Sequence, residues 1–268
     1  MKNSLFNYII IFVLLITVVE SYVVGQTTYI VRNGKPSAVL IVPDNASPAI
    51  NFAAEELNVH FRKMSGATLP IVKESYKDTV RGPCIYLGST SIASQLGILV
   101  NSTMDDAFRI ETKNGDLFLI GKGDRGTLYS VYEFLEQLGV RWIMPSELGE
   151  IIPDRKDILL ENRKVFQEPD IRVRVSGSHL TSDEFLEELN LWQIRMRCNS
   201  GFSDKWSEKI GGTVGHGPTG HNYKRLIDLE LYDNHPEYFA LRDGMREDPR
   251  TTRYWKMCLS NTDVRGIA

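Results

Sequence analysis

Two histidines in a glycine-rich stretch are the residues with the clearest capacity for binding chemistry. The stretch GGTVGHGPTGHNYKRL, residues 211–226, carries His216 and His221, and Asn222 follows. A helical metal-binding pair needs histidines at i and i+4 on one face, and glycine-rich sequence disfavours that helix. Imidazole and amide groups in an irregular loop predict hydrogen bonds to a polar ligand. Packing of the loop itself is the alternative, and no metal site is predicted.

Three more polar residues flank the helix predicted over SDEFLEELNLWQIRMRCN. His179 follows the strand predicted at Ile171–Val175, and Arg197 and Asn199 close the helix. If that strand opens a β/α barrel, its carboxyl end faces the active site, which makes all three candidate ligand contacts. A guanidinium can hold a carboxylate through two parallel hydrogen bonds, which suits Arg197 to an acidic ligand. A cation stabilised by the helix dipole is its alternative role.

The acidic residues do not form a recognisable catalytic pair. Acid/base cleavage of a glycosidic bond needs two carboxylates about 5 Å or about 6.5–9.5 Å apart. The first turns of the predicted helix hold Asp183, Glu184, Glu187 and Glu188. Carboxylates there suit the helix dipole and solvent. Glu237 lies beside aromatic residues in HPEYF, where a helix start after a proline also explains it, so the catalytic residues are left unassigned.

The segment LFLIGKGDRGTLYSVYEFLEQLG contains the spacing G-x-G-x-x-G at Gly121, Gly123 and Gly126. A dinucleotide fingerprint of this kind needs a parallel strand in a β-α-β unit. Here Asn114-Gly115 lies between two strand-like runs and predicts a hairpin. The strand before the glycines is then antiparallel to its neighbour. The glycines are predicted to allow a tight turn and close helix packing, and no nucleotide partner is predicted.

The elements that precede residue 165 are short strands and two amphipathic helices. TTYIVRNG and AVLIVP read as strands. One helix is predicted over SPAINFAAEELNVHFRKMSGA, capped by Ser47, with Pro48 in its first turn and Gly66 after its end. A second begins near Gly126 and ends at Gly139. This pattern predicts an α+β domain, a mixed or antiparallel sheet with two helices.

Bulk properties exclude several classes of partner. The net charge is −3 and there is no long basic run, so no nucleic-acid partner is predicted. Cys84, Cys198 and Cys258 are far apart and lack C-x-x-C spacing, which argues against a zinc site. One disulfide is possible in an oxidising compartment. No cofactor is predicted.

The N-terminal 25 residues have the order of a secretory signal peptide. Lys2 precedes the twelve-residue run YIIIFVLLITVV, and small or polar residues follow. Twelve apolar residues are too few to cross about 30 Å of hydrocarbon comfortably. We expect a secreted or periplasmic protein without a membrane partner after cleavage. An uncleaved anchor is the alternative.

Three segments follow from these patterns: a signal peptide at 1–25, an α+β domain at 26–165 and the start of a β/α (TIM-type) barrel at 166–268. The barrel is suggested by the succession of a strand, polar residues and a helix after residue 170. A complete barrel takes about 250 residues, and about a hundred follow residue 165. The expected barrel is therefore incomplete, or the second domain is not a full barrel.

The sequence resembles secreted bacterial glycoside-hydrolase-like proteins of the domain-of-unknown-function 4838 family, which carry the N-terminal α+β domain of α-glucuronidases and β-hexosaminidases. The first domain's resemblance rests on FAAEELNVHFRKMSGATLPI and GDRGTLYSVYEFLEQLGVRWIMPSELGEIIP. The second domain's rests on LNLWQIRMRCNS, GHNYKRLI, HPEYFALRDGMR and MCLSNTDV. Together these motifs extend over nearly the whole chain after the signal segment.

The resemblance implies hydrolysis of a polysaccharide or uronate-containing oligosaccharide. The family places its catalytic carboxylates on later barrel strands, so this chain is expected to be a fragment lacking them, and an enzyme only with a full barrel. The implied carbohydrate contacts are His179, Arg197, Asn199, His216, His221 and Asn222. The alternative is a non-catalytic carbohydrate-binding or surface-interaction protein. In that case we expect exposed aromatic side chains to stack on sugar faces, namely Trp206, Tyr223, Tyr238 and Trp255.

Overall fold

The computed structural model describes residues 27–176, 182–215, 226–252 and 255–267, except the side chain of Glu184. The chain divides into two compact units between Thr213 and Val214. The expected domain boundary after residue 165 therefore differs from this division, because residues 166–213 belong to the first unit. The expected signal segment, 1–25, lies outside the described residues.

A six-stranded mixed sheet organises the first unit. The strands along the chain are β1 (Tyr29–Arg32), β2 (Lys35–Pro36), β3 (Val39–Val42), β4 (Ile71–Lys73), β5 (Cys84–Leu87), β6 (Phe108–Lys113), β7 (Asp116–Gly121), β8 (Arg141–Trp142), β9 (Glu150–Ile151), β10 (Ile158–Leu159) and β11 (Lys164–Gln167). The sheet order is β11-β6-β7-β5-β3-β4, while β10-β1-β2 and β8-β9 form smaller sheets. Strands β4, β3, β5 and β7 run parallel, and β6 and β11 extend the sheet with antiparallel pairing.

Helices cover both faces of this sheet. Those of the first unit are α1 (Pro48–Ser65), α2 (Ser91–Gln95), α3 (Asp124–Gln137), α4 (Asp183–Arg195) and α5 (Asp204–Lys209). The main core lies on the face covered by α1 and α3 and includes Leu40, Leu87 and Leu119. A second core on the opposite face packs Ala93 of α2 near Ile41. The predicted α+β class is confirmed. Of the two sheet types that the sequence allowed, mixed or antiparallel, the structure has the mixed one. The short α2 is an addition to the two helices predicted before residue 165.

Local signals of the first long helix act as the sequence predicts. The Ser47 hydroxyl accepts a hydrogen bond from the Ile50 amide at 3.3 Å, and Pro48 opens the helix. Gly66 ends it with φ +85°, a left-handed conformation that costs glycine little. Side chains at helical spacing, Phe52, Ala53, Leu57, Phe61 and Met64, are buried. Capping and periodicity therefore fix the limits and the core-facing side of α1.

The glycines of the turn after β7 allow the backbone at the start of α3 to pack closely against neighbouring backbone. The predicted hairpin is present, with Lys113 opposite Asp116, so β7 is antiparallel to β6, and on its other side it runs parallel to β5. A Cβ on Gly121 would lie 2.1 Å from the Thr127 amide nitrogen, and one on Gly126 would lie 2.5 Å from the Ala107 carbonyl oxygen. Both distances are sterically forbidden. The prediction that these glycines serve close packing is confirmed.

The backbone donors of the same turn are bonded within the protein. The Gly121 amide donates to the Thr127 hydroxyl at 2.9 Å. The Lys122 amide donates to the Ala107 carbonyl at 2.8 Å, and the Gly123 amide to the Asp105 carbonyl at 3.0 Å. A phosphate cradle requires such amides to point at the ligand. This turn therefore does not present one.

Within the first unit, the described residues that follow β11 add no further strand to the sheet. The strand predicted at Ile171–Val175 is wrong, because this segment has no strand ladder and is held by Asn199. Helix α4 follows as predicted. Its Trp192 donates from Nε1 to the Trp142 carbonyl oxygen at 3.1 Å, which ties it to β8.

The second unit contains β12 (Leu241–Arg242), β13 (Met245–Arg246) and α6 (Thr262–Ile267). Strands β12 and β13 form an antiparallel hairpin. Phe239 also pairs antiparallel with Met257, and the Cys258 amide donates to the Tyr238 carbonyl at 2.8 Å. The described part of this unit does not confirm the start of a barrel. In the segments that the structure describes, no helix combines the length and apolar character needed to cross a membrane.

Candidate functional site

Four of the six predicted ligand contacts, His179, His216, His221 and Asn222, lie outside the described residues. The other two, Arg197 and Asn199, lie close together after α4. The contacts of these two side chains show which of their polar groups are already bonded within the protein.

Asn199 has no exposed surface, and each hydrogen-bonding atom of its side chain is used. Its Nδ2 donates to Asp106 Oδ2 at 2.6 Å and to the Arg172 carbonyl at 2.8 Å. Its Oδ1 accepts from the Arg174 amide at 2.8 Å. The Asn199 side chain therefore links residues 172–174 to Asp106, and its role is to hold this segment in place.

Asp106 is the centre of this buried cluster. Its side chain is 6% exposed and accepts a hydrogen bond from Arg125 Nε at 2.6 Å, as well as one from Arg174. Arg125 stands in the first turn of α3 and Arg174 in the segment that follows β11. Asp106 thus compensates two cations in one interior site.

Arg197 pairs with the outer surface of α3. Its Nη2 donates to Glu133 Oε2 at 2.9 Å and also to Glu136. The residue has φ +62°, and its amide donates to the Ile194 carbonyl at 2.9 Å just beyond the end of α4. Both carboxylates come from the protein itself. They occupy Nη2 of the guanidinium group that the sequence assigns to an acidic ligand, whereas its Nε is buried without a hydrogen-bond partner among the described residues.

A second buried ionic cluster lies between α1 and α4. Arg195 Nε lies 2.9 Å from Glu56 Oε2, and its Nη1 lies 2.6 Å from Glu150 Oε1. All three side chains are less than a tenth exposed, and Lys63 completes the cluster by binding Glu150. No sequence motif marks these residues, since 139 positions separate Glu56 from Arg195. The amphipathic pattern of α1, which puts Glu56 beside its buried stripe, is the only available signal.

His60 lies beside this cluster with no exposed surface. Its Nδ1 is 2.7 Å from the Glu56 carbonyl oxygen, and the Trp142 Nε1 donates to its Nε2 at 3.3 Å. That arrangement fits the neutral tautomer with the proton on Nδ1. Burial lowers the pKa of His60, and the nearby Glu56 carboxylate opposes this shift. His60 therefore acts as a neutral part of the core.

The carboxylates considered for catalysis are solvent-facing in the described structure. Asp183, Glu187 and Glu188 are exposed, and Glu187 pairs with Lys205 at 3.2 Å. Glu237 accepts from His235 Nδ1 at 3.0 Å, and hydrogen bonds from its own backbone and from His235 lower its pKa. Glu237 therefore does not provide a general acid with a raised pKa. Catalytic residues therefore stay unassigned.

The second unit contains a small pocket with one aromatic wall. About 180 Å³ is enclosed by Ala240, Arg242, Glu247, Trp255 and Lys256. The half-buried Trp255 is anchored on Phe239, with ring centroids 5.5 Å apart, and the Ala240 amide donates to the Lys256 carbonyl at 2.9 Å. Arg242 Nη1 is 3.5 Å from Glu247 Oε1 and its side chain is 69% exposed, so solvent weakens this pair. We call this site the Trp255 pocket.

The other aromatic residues considered for sugar stacking differ from Trp255. Trp206 and Tyr238 are buried, with 4% and 8% of their surface exposed. The expectation that they are exposed is wrong, because Trp206 packs edge-on against Phe52 and Tyr238 stacks with His235. Tyr223 lies outside the described residues. Trp255 is thus the one of the four with a described, accessible pocket position.

The three cysteines do not form a disulfide in the structure. Cys84, Cys198 and Cys258 are all free thiols. Hydrogen bonds from Ser260 and Arg246 lower the pKa of Cys258, whereas burial raises those of Cys84 and Cys198. In the part of the chain that the structure describes, no three His, Cys, Asp or Glu side chains come together in a way that could hold a metal ion.

Three solved structures show a distant similarity to this chain. One is a GH138 enzyme targeting pectin rhamnogalacturonan II; it is 15% identical over 51% of this chain and 12% of its own, with a TM-score of 0.32. CpGH84B is 14% identical over 75% of this chain and 30% of its own, and CpGH84D is 16% identical over 64% and 28%, both with a TM-score of 0.35. The chain thus spans between 12% and 30% of the length of these three. No curated protein matches it.

Family models match both parts of the sequence. Residues 30–134 match the model described as "Glycosyl hydrolase family 67 N-terminus" and residues 144–268 match "Domain of unknown function (DUF4838)". The first match covers the sheet from β1 to β7 with α1 and most of α3. These matches support a carbohydrate-active protein of glycoside-hydrolase type. The chain is therefore similar to glycoside-hydrolase-like proteins, with a segment that matches the glycosyl hydrolase family 67 N-terminus followed by a segment that matches the DUF4838 family.

Proposed function

We propose that this protein recognises a polysaccharide or a uronate-containing oligosaccharide as part of glycoside-hydrolase-type carbohydrate processing. The observation that carries the proposal is the match of residues 30–134 to the N-terminal domain of a glycosyl hydrolase family. The start of a barrel over 166–268, the expected fragment status and secretion through residues 1–25 stay predictions.

The Trp255 pocket is the described feature best suited to hold a sugar ring. An indole face presents apolar, polarisable surface against which the C–H face of a pyranose packs. Arg242 and Lys256 supply donors on the rim, and Glu247 supplies an acceptor. A guanidinium can bind a uronate carboxylate with two parallel hydrogen bonds. The pocket therefore combines stacking with acid recognition.

A non-catalytic binding protein is the second candidate function. It is favoured by the ion pairs of the described interior, where the buried carboxylates Glu56, Asp106 and Glu150 each contact an arginine. A catalytic acid must reach its substrate, and these three side chains are less than a tenth exposed. These three side chains are therefore assigned to structure.

Affinity electrophoresis tests the proposed recognition. The purified chain is run through gels containing glucuronoxylan, homogalacturonan or a neutral glucan, and we expect retardation by at least one acidic polysaccharide. Trp255→Ala should abolish most of that retardation, whereas Tyr76→Ala should not. Tyr76 is a matched control because it is an aromatic residue 60% exposed on the first unit. Equal migration of the parent in all gels would contradict the proposal.

Turnover of aryl-glycosides separates the two candidate functions. Hydrolysis by the purified chain would identify an enzyme, and retardation without hydrolysis would support the binding protein. If hydrolysis survives both Glu237→Gln and Glu187→Gln, the catalytic carboxylates are other residues than these two.

A further inference from the structure

The carboxyl edge of the parallel strands contains a second cleft, in the first unit. It encloses about 510 Å³ at the ends of β5 and β7, next to α2. Its floor is apolar and includes Ala93, Ile98 and Ile120, which are buried. Its polar rim is formed by Ser89, Ser94, Asn101 and Lys122. We call this site the edge cleft.

The position of the edge cleft follows from the way the chain leaves the sheet. After β5 the chain enters α2, whose Ala93 packs on one face of the sheet. After the neighbouring β7 it enters α3, whose Leu128 and Leu135 pack on the opposite face. Adjacent parallel strands that send their helices to opposite faces leave a crevice at their carboxyl ends. Open α/β sheets bind their ligands in crevices of this kind.

The rim of the edge cleft offers hydrogen-bonding groups that the described protein does not use. The side chains of Ser89, Asn101 and Lys122 are exposed and have no hydrogen-bond or ion-pair partner among the described residues. By contrast, the backbone amides of Gly121, Lys122 and Gly123 are all bonded within the fold. Recognition in the cleft therefore falls to side chains.

We propose that the edge cleft binds a polyhydroxylated carboxylate, such as a sugar acid or the acidic end of an oligosaccharide. The ammonium of Lys122 would pair with the carboxylate, and Ser89 and Asn101 would bond ring hydroxyls. Ile98 and Ile120 form the apolar surface on which the carbon face of the ring rests. Small-ligand sites typically occupy about 300–1,000 Å³, which the cleft matches. This site is separate from the Trp255 pocket and adds a second ligand contact to the protein.

Titrations of the ¹⁵N-labelled chain test the proposal with three probes. Glucuronate carries both the carboxylate and the hydroxyls, glucose lacks the carboxylate, and acetate lacks the hydroxyls. We expect amide shifts at Ser89, Asn101 and Lys122 with glucuronate, and affinities about tenfold or more weaker for glucose and acetate. An oligosaccharide with a terminal glucuronate distinguishes the two sources of ligand. Tighter binding of the oligosaccharide than of glucuronate would identify a chain end, and weaker binding would identify the free acid.

Three variants assign the binding to this cleft. Lys122→Met should weaken glucuronate binding about tenfold or more, because it keeps the side-chain length and removes the charge. Lys164→Met, on the exposed strand β11, is the matched control and should leave the affinity unchanged. Trp255→Ala should also leave it unchanged. An unaltered affinity in Lys122→Met, or the absence of glucuronate binding in the parent chain, overturns the proposal.

The same variants separate this inference from the proposed function. Retardation by polysaccharide that depends on Trp255, with no glucuronate shifts at the edge cleft, would support the Trp255 pocket and refute the edge cleft. Glucuronate shifts that depend on Lys122, without polysaccharide retardation, would support the edge cleft and refute the Trp255 pocket.

Discussion

Replacing Arg195 by methionine tests whether the two family-matched parts of the chain form one structural unit. Arg195 belongs to the segment that matches DUF4838, and Glu56 to the segment that matches the glycosyl hydrolase N-terminus. Their side chains are 7% and 6% exposed and are joined at 2.9 Å. Methionine preserves much of the arginine stem and removes the charge. Glu150 keeps Lys63 as a partner, so Glu56 is the group left without its cation.

The expected cost is large because a buried charge loses its compensation. Breaking a buried ion pair on one side destabilises a protein by about 3–5 kcal/mol. A change of 1 kcal/mol shifts the Tm by about 2–4 °C in a domain of 150–250 residues, so Arg195→Met should lower the Tm of the first unit by about 6–20 °C. The double variant Glu56→Gln/Arg195→Met removes both charges and should recover part of this loss.

Denaturant unfolding monitored by tryptophan fluorescence measures these differences, because Trp142 lies beside Arg195. Arg81→Met is the matched control. Arg81 is exposed, and its substitution should change the free energy of unfolding by less than about 0.5 kcal/mol. A loss below about 1 kcal/mol in Arg195→Met would refute the reasoning. A double variant as unstable as the single one would show that packing, not charge, dominates.

The interior of the first unit gives three further expected outcomes. Gly126→Ala should destabilise the protein by about 1–3 kcal/mol through overpacking, despite the better helix propensity of alanine; Gly215→Ala, where a Cβ meets nothing within 4 Å, should be neutral in the same denaturant titration. The lowered pKa of His60 means that its stabilising contribution is fully present above the ordinary value of 6.5 and is lost as the pH falls below it. The free energy of unfolding should therefore decrease between about pH 7 and about pH 5 and do so less in His60→Gln, and equal slopes would contradict this assignment. Asn199→Ala should cost about 1–3 kcal/mol by leaving buried groups unpaired. A variant of normal stability that loses polysaccharide retardation would instead restore Asn199 as a ligand contact.

Local chemistry allowed much of the first unit to be predicted from the sequence. The apolar spacing of α1, its Ser47 cap and its Gly66 end act within a few residues of one another. The Asn114-Gly115 turn likewise fixes a hairpin whose strands are adjacent along the chain. The same turn places the glycines after β7 next to a hairpin, and this local context predicts their role as packing positions. Periodicity, caps and turn conformations depend on neighbouring residues, so a single sequence contains them.

Tertiary structure alone decided which distant groups meet. The parallel pairing of β5 with β7, which creates the edge cleft, depends on chain crossovers that no local pattern encodes. The segment at Ile171–Val175 has strand-like residues, yet Asn199 holds it in an irregular path. The partnership of Glu56 with Arg195 spans 139 positions. A charged side chain looks the same in sequence whether it faces solvent, a ligand or a buried counter-ion, because its partner is chosen by the packing of elements that are remote along the chain.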